Sequence, residues 1–121
     1  DSIWPKPAFL PACYVINTDT YDGPGEHWVS FYMDNDNTAG YFDSFGTVPV
    51  KSTYSWLRSC GMKQIRYNKK WLQNPDSTVC WAYCILFLRM RCRGVPLEDI
   101  IASFYSYNFL KNDMIVMSLV D

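Results

Sequence analysis

Four side chains in this sequence have the types and spacing for nucleophilic attack on a carbonyl: His27, Asp43, Gln73 and Cys80. His27 is the only histidine, and it stands as far before Asn35 as Asp43 stands after it. Asn35 lies in the turn-rich segment DNDNTAG, between two runs rich in aromatic and β-branched residues. If those runs pair as an antiparallel hairpin about Asn35, His27 and Asp43 face each other on one side of the sheet. Directly opposite Cβ atoms lie about 4.5–5.5 Å apart, close enough for a carboxylate to orient an imidazole. The same pair also fits a half-buried strand histidine beside a surface acid.

Cys80 follows the capping-rich segment NPDST and opens a long apolar stretch. A cysteine at a helix start meets unsatisfied N–H groups and the positive end of the helix dipole, and both favour thiolate. A neighbouring imidazolium favours it further. Cys13, Cys60, Cys84 and Cys92 read instead as small buried hydrophobes. Gln73 precedes Cys80 by seven residues, and its amide can donate to an oxyanion alongside the Cys80 N–H. Taken alone, a glutamine beside a turn is ordinarily solvated.

The elements that must carry these groups are legible in outline. Residues 1–11 hold three prolines and form an extended lead-in, ACYVIN (12–17) a short strand, and 18–26 a loop with strong breakers. Strands over 27–33 and 41–45 make the hairpin. The spacing predicts a helix over 52–60, with Ser52 or Thr53 as N-cap and Gly61 as its stop. An edge strand over 64–68 leads to Trp71, Leu72 and Gln73, and 74–78 is a turn. A buried helix spans 79–92, its last turn made cationic by Arg89 and Arg91, and it stops at Gly94. Pro96 opens another helix to about Tyr105. The apolar tail 113–120 fits strand or helix equally.

Composition narrows the classes. The 121 residues suit one domain, expected to span the whole chain, and 49% hydrophobic with 19% charged content is globular. A net charge of −1 gives no electrostatic case for nucleic acid, and no apolar run approaches the roughly 20 residues of a membrane span. One histidine and no second cysteine pair beside Cys80 and Cys84 argue against zinc, and no metal or other cofactor is expected. The odd cysteine count suits a reducing compartment.

The combined pattern of His27-Trp28, Asp43, Gln73 and Cys80 resembles the adenovirus-type protease (adenain) family, of the same clan as the ubiquitin-like-protein (SUMO) proteases. The matching stretches are ACYVINT, GEHWVSFYMD, YFDSFG and the segment from Gln73 into CWAYCILFL, about two-thirds of the chain. The resemblance implies an α+β, papain-like fold: a central mixed sheet flanked by helices, with the nucleophile at a helix N-terminus. It implies His27 as base, Asp43 as orienting acid, Gln73 in the oxyanion hole and Cys80 as nucleophile. The Trp28 ring would pack beside the imidazole. Trp28 and Trp81 are the candidate substrate-binding residues, the Trp81 indole standing where it could crowd the cleft or mask the thiol.

Two departures stand out. Trp81 follows the nucleophile where the family has glycine, and the chain starts too near the first matched strand to hold the family's further N-terminal, groove-walling segment. The clan cuts after small residues, often Gly-x-Gly or Gly-Gly, in a groove ringed by aromatics. Tyr14, Trp28, Phe45 and Trp71 are the candidate rings here, with core packing as their alternative. The expected partner is a protein or peptide substrate. The peptide activator and DNA of the adenovirus enzymes find no support, since Lys69, Lys70, Arg89 and Arg93 are few and scattered. The expected location is intracellular (cytoplasm or nucleus) or inside a virion. Three activities remain open: endopeptidase of viral or mobile-element type, remover of ubiquitin-like modifiers, and inactive peptide-binding relative.

Overall fold

The computed structural model describes residues 4–18 and 27–120. Four strands, β1 (Ala12–Asn17), β2 (Trp28–Met33), β3 (Thr38–Phe42) and β4 (Gln64–Tyr67), form one sheet in the order β1-β2-β3-β4. β1, β2 and β3 pair antiparallel, and β4 runs parallel to β3. A parallel neighbour needs a crossover, and helix α1 (Lys51–Ser59) supplies it. Three further helices follow: α2 (Cys80–Cys92), α3 (Leu97–Ala102) and α4 (Phe109–Val120). The architecture is α+β.

Both faces of the sheet are covered, and strand alternation shows how. Val29, Phe31 and Met33 of β2, with Ala39 and Tyr41 of β3, pack against Trp56 and Leu57 of α1. Phe42 points the other way, into a cluster with Leu72, Ala82, Tyr83, Leu86, Phe87, Leu97, Ile100, Phe104 and Val116, where Tyr32 also packs. That second core joins α2, α3 and α4. Burial on both faces explains why β2 and β3 read as near-continuous apolar runs. The lead-in docks on the α1 face, with Trp4 edge-on to Trp56 at 5.2 Å between ring centres.

Several sequence expectations are corrected. The hairpin turns about Asp36, not Asn35: Ser30 pairs with Phe42 and Phe31 with Tyr41. Asn37, at φ 67°, takes the left-handed position that asparagine tolerates, and this adds the residue that shifts the register. The second strand of the hairpin therefore covers 38–42 instead of 41–45. Neither Ser52 nor Thr53 caps α1, whose N-cap is Val50 with no side-chain bond. Pro96 is the N-cap of α3, and that helix ends at Ala102. The undecided tail is helical, being part of α4. α2 is buried on one side only, with Trp81 and Ile85 turned outward. Of the four cysteines read as buried, only Cys84 is: Cys60 is intermediate, and Cys13 and Cys92 are exposed. Apart from Thr18, the breaker-rich loop lies outside the described residues.

Candidate active site

His27 and Asp43 both sit just outside the regular ladder, at the end of the sheet where β2 begins and β3 has stopped. Their side chains nonetheless meet, with His27 Nε2 2.9 Å from Asp43 Oδ1. The two-residue register shift did not separate them because an even shift keeps every side chain on its own face. It moved Phe45 toward the position opposite His27, and the two rings stack at 4.8 Å with a 20° tilt. Phe45 in turn packs on Trp71 at 4.9 Å.

Asp43 is 2% exposed, and its placement is over-determined. Oδ1 also accepts the Phe45 N–H at 2.8 Å, and Oδ2 accepts the Thr47 hydroxyl. Where β4 ends, the Asn68 side chain takes over from the ladder. Its Oδ1 accepts the Asp43 N–H at 3.0 Å, and its Nδ2 donates to the Asp43 carbonyl at 2.6 Å. The turn closes by a Gly46 N–H bond to the Asp43 carbonyl. Gly46 has φ 70°, and a Cβ there would stand 2.8 Å from the Lys70 carbonyl, so only glycine lets this turn press on the 69–70 segment.

Cys80 opens α2, which packs across β2. Its sulfur accepts the Trp28 N–H at 3.4 Å, bringing the start of β2 onto the start of the helix. With Nε2 committed to the carboxylate, Nδ1 is the ring nitrogen left to face the thiol, and the two side chains hydrogen-bond. Burial by itself works against a charged pair here, lowering His27 and raising Cys80. For His27 the bonds to Asp43 and Cys80 outweigh burial and carry the imidazole from 6.5 up to about 9. For Cys80 the imidazole, with the Trp28 and Trp81 N–H groups, outweighs burial and pulls the thiol below its ordinary value. The opposite shifts favour a thiolate–imidazolium pair.

Gln73 is buried in the segment between β4 and α2. Its Oε1 accepts the Ser44 hydroxyl at 2.6 Å, and its Nε2 donates to the Ser77 carbonyl at 3.0 Å and hydroxyl at 3.1 Å. A carbonyl only accepts, so the nitrogen must be the end facing Ser77. Gln73 thus reaches the loop that delivers Cys80.

With this geometry in hand, sequence and fold comparisons point one way. The chain is similar to viral thiol proteases. It is 30% identical to a protein of Acanthamoeba polyphaga mimivirus assigned as a thiol protease, R355, over 77% of this chain and 34% of that protein. It is 27% identical to the cysteine protease S273R of African swine fever virus, over 74% of this chain and 37% of the other. In other isolates of that virus the relative bears the name SUMO-1 cysteine protease. The crystal structure of the African swine fever virus pS273R protease superposes with a TM-score of 0.65 at 23% identity, covering 78% of this chain and 39% of that one. No family model matches the chain. The chain spans about a third of the length of the curated viral proteases it matches.

The remaining sequence candidates divide. Trp28 lies at the site through its backbone N–H, but the ring stacked on the imidazole is Phe45. Trp81 is 42% exposed and directed to solvent beside Cys80, which keeps only 3% of its surface open. Trp71 is half-exposed next to Phe45, whereas Tyr14 stacks on Phe31 in the core of the α1 face, away from the site. Sequence reasoning missed the supports: Ser44, Thr47, Asn68, Asn112 and Asp113. The last two leave α4 to hold the 72–74 segment, Asn112 through the Leu72 carbonyl and Asp113 through the Asn74 N–H, while Asp113 also accepts the Tyr83 hydroxyl of α2. A polar pair inside the apolar run FLKNDMIVMSLV was the available signal for them.

Proposed function

We propose that this chain carries the catalytic centre of a cysteine endopeptidase of adenain/SUMO-protease type. The observation that supports this most is the hydrogen-bonded series Cys80–His27–Asp43 at a helix N-terminus. In this reading the Cys80 thiolate attacks the scissile carbonyl carbon, forming a C–S bond. The carbonyl oxygen becomes an oxyanion that takes hydrogen bonds from the Cys80 N–H and, by a small turn of its amide away from Ser77, from Gln73. His27 then protonates the leaving amine as the C–N bond breaks, leaving a thioester. A water deprotonated by His27 hydrolyses the thioester and restores the thiol. Asp43 holds the ring by Nε2 and stabilises the imidazolium throughout.

The substrate class proposed is protein cut after small, Gly-type residues, bordered by Trp28 and Trp81. The setting is processing of structural proteins of a virus or mobile element, inside the cell or the virion. A second reading, removal of a ubiquitin-like modifier, draws on the name SUMO-1 cysteine protease borne by the African swine fever virus relatives. Among the described residues, no helix is long and apolar enough to cross a membrane.

The test combines two assays on the chain. An internal Gly-x-Gly peptide should be cut after its second glycine, and Cys80→Ala should abolish the cut. Labelling of Cys80 by a diglycine-ended modifier probe without peptide cleavage would transfer the assignment to the second reading. Alkylation of Cys80 by iodoacetamide no faster than a free thiol, and indifferent to His27→Ala, would end both.

A further inference from the structure

We infer that Ser44 is a positioning residue for this reaction, acting through the amide of Gln73. The inference rests on the peptidase reading above. Ser44 is 1% exposed and holds the Gln73 segment twice. Its hydroxyl donates to Gln73 Oε1 at 2.6 Å, while its carbonyl accepts the Leu72 and Gln73 N–H groups at 2.8 and 3.1 Å. Backbone and side chain of Gln73 are therefore fixed by one neighbour.

The chemistry of a buried primary amide explains why this matters. Its oxygen and nitrogen ends are nearly the same size, so packing alone does not choose between them. Ser77 selects the nitrogen end on one side, and Ser44 satisfies the oxygen end on the other. Removing the Ser44 hydroxyl would leave Oε1 buried without a donor, and the amide would lose the anchor about which a small turn carries its N–H groups from Ser77 to the oxyanion. Ser44 is also the residue after Asp43. One short segment thus supports the base through its first residue and the oxyanion donor through its second, which keeps the two in fixed relation.

The experiment separates this role from general support of the fold. Acylation by p-nitrophenyl acetate joins the Cys80 sulfur to the acetyl carbon, passes through an oxyanion and releases nitrophenolate. Alkylation by iodoacetamide displaces iodide at a saturated carbon and forms no oxyanion. Ser44→Ala should slow acylation about 10-fold while alkylation stays within about 2-fold, a loss in the range expected for a misaligned catalytic group. Gln73→Ala should slow acylation about 100-fold, and adding Ser44→Ala to it should cost nothing more, since the two act in series.

Unchanged acylation in Ser44→Ala overturns the inference. So does an equal loss in both reactions, or an undiminished Ser44 effect in the Gln73→Ala background. Ser44→Cys, close in size but a weak donor, should repeat the loss of Ser44→Ala; failure of both variants to fold makes Ser44 a support of the fold and rejects the assignment. A wild-type chain that alkylates fast yet never acylates would sink the peptidase reading and this inference with it. A wild-type chain that acylates, with Ser44→Ala its equal, would sink this inference alone.

Discussion

Cys80 and Cys84 stand one turn apart on the same helix, both buried, and their thiols are driven in opposite directions. Burial raises both. At Cys84 little opposes it, and the thiol is pushed up to about 12. At Cys80 the His27 imidazole and the Trp28 and Trp81 N–H groups reverse the effect. Burial is therefore not what sets the direction in which a thiol is shifted in this molecule. The first turn of a helix offers N–H donors and the start of β2 offers an imidazole, and by the second turn both are out of reach.

The largest expected effect breaks the comparison at its root. Cys80→Ala should lower peptide cleavage by about 10⁴-fold or more. Cys84→Ala should leave cleavage within about 3-fold and cost about 1 kcal/mol of stability from the lost buried sulfur, read from the urea midpoint. A nucleophile at Cys84 would invert the two results.

Next comes the imidazole. At pH 7, His27→Ala should slow Cys80 alkylation about 10-fold or more, because an ordinary thiol is only a few per cent thiolate there. In the wild type the alkylation rate should hold as pH falls below the ordinary thiol range near 8.5, while in the variant it should rise only through that range. The same pair affects folding stability with a definite sign. His27 is raised from 6.5 to about 9, so its contribution is complete below pH 6.5 and lost as pH climbs through about 9. The Cys80 contribution has the opposite sense, present above the ordinary thiol value and lost as pH falls through its lowered one. Between pH 6.5 and 9 the two contributions run in opposite senses, so the melting-temperature gap between wild type and His27→Ala should stay nearly constant. A gap that narrowed steeply over that interval would show a raised imidazole without a lowered thiol, and one that widened steeply the reverse.

Two smaller effects test the supports. Asn68→Ala deprives the buried Asp43 N–H of its partner, leaves the Asp43 carbonyl with the Gly46 N–H alone, and should cost about 1–3 kcal/mol. Alkylation at Cys80 should slow in step with the loss of His27 orientation. Phe45→Ala removes the ring stacked on the imidazole and should cost about 1 kcal/mol, with alkylation slowed less than in His27→Ala. A Phe45→Ala effect on alkylation as large as that of His27→Ala would make stacking, not the Asp43 bond, the main restraint on the ring.

The legible part of the site followed from short-range rules. A turn-rich segment between two apolar runs specified a hairpin, and parity alone kept His27 and Asp43 on one face even though the turn centre was off by one residue. Cys80 was legible because NPDST followed by an apolar stretch marks a helix start. The less legible parts depended on partners distant in sequence. Asn68 meets Asp43 across 25 residues and Asn112 meets Leu72 across 40, and a single polar residue in a chain names no partner. Phe45 was one candidate groove ring among four, and only the actual register set it on the imidazole.

Local chemistry thus determined which residues were fit to react: a cysteine given N–H donors by its helix start, and a histidine given an acid by hairpin parity. The tertiary structure decided that the helix start and the hairpin end should coincide, by packing α2 across β2 until the Trp28 N–H reached the Cys80 sulfur. The physical reason is range. Backbone geometry fixes what lies within a turn or a strand pair, whereas contacts across fifty residues exist only once both faces of the sheet have been buried.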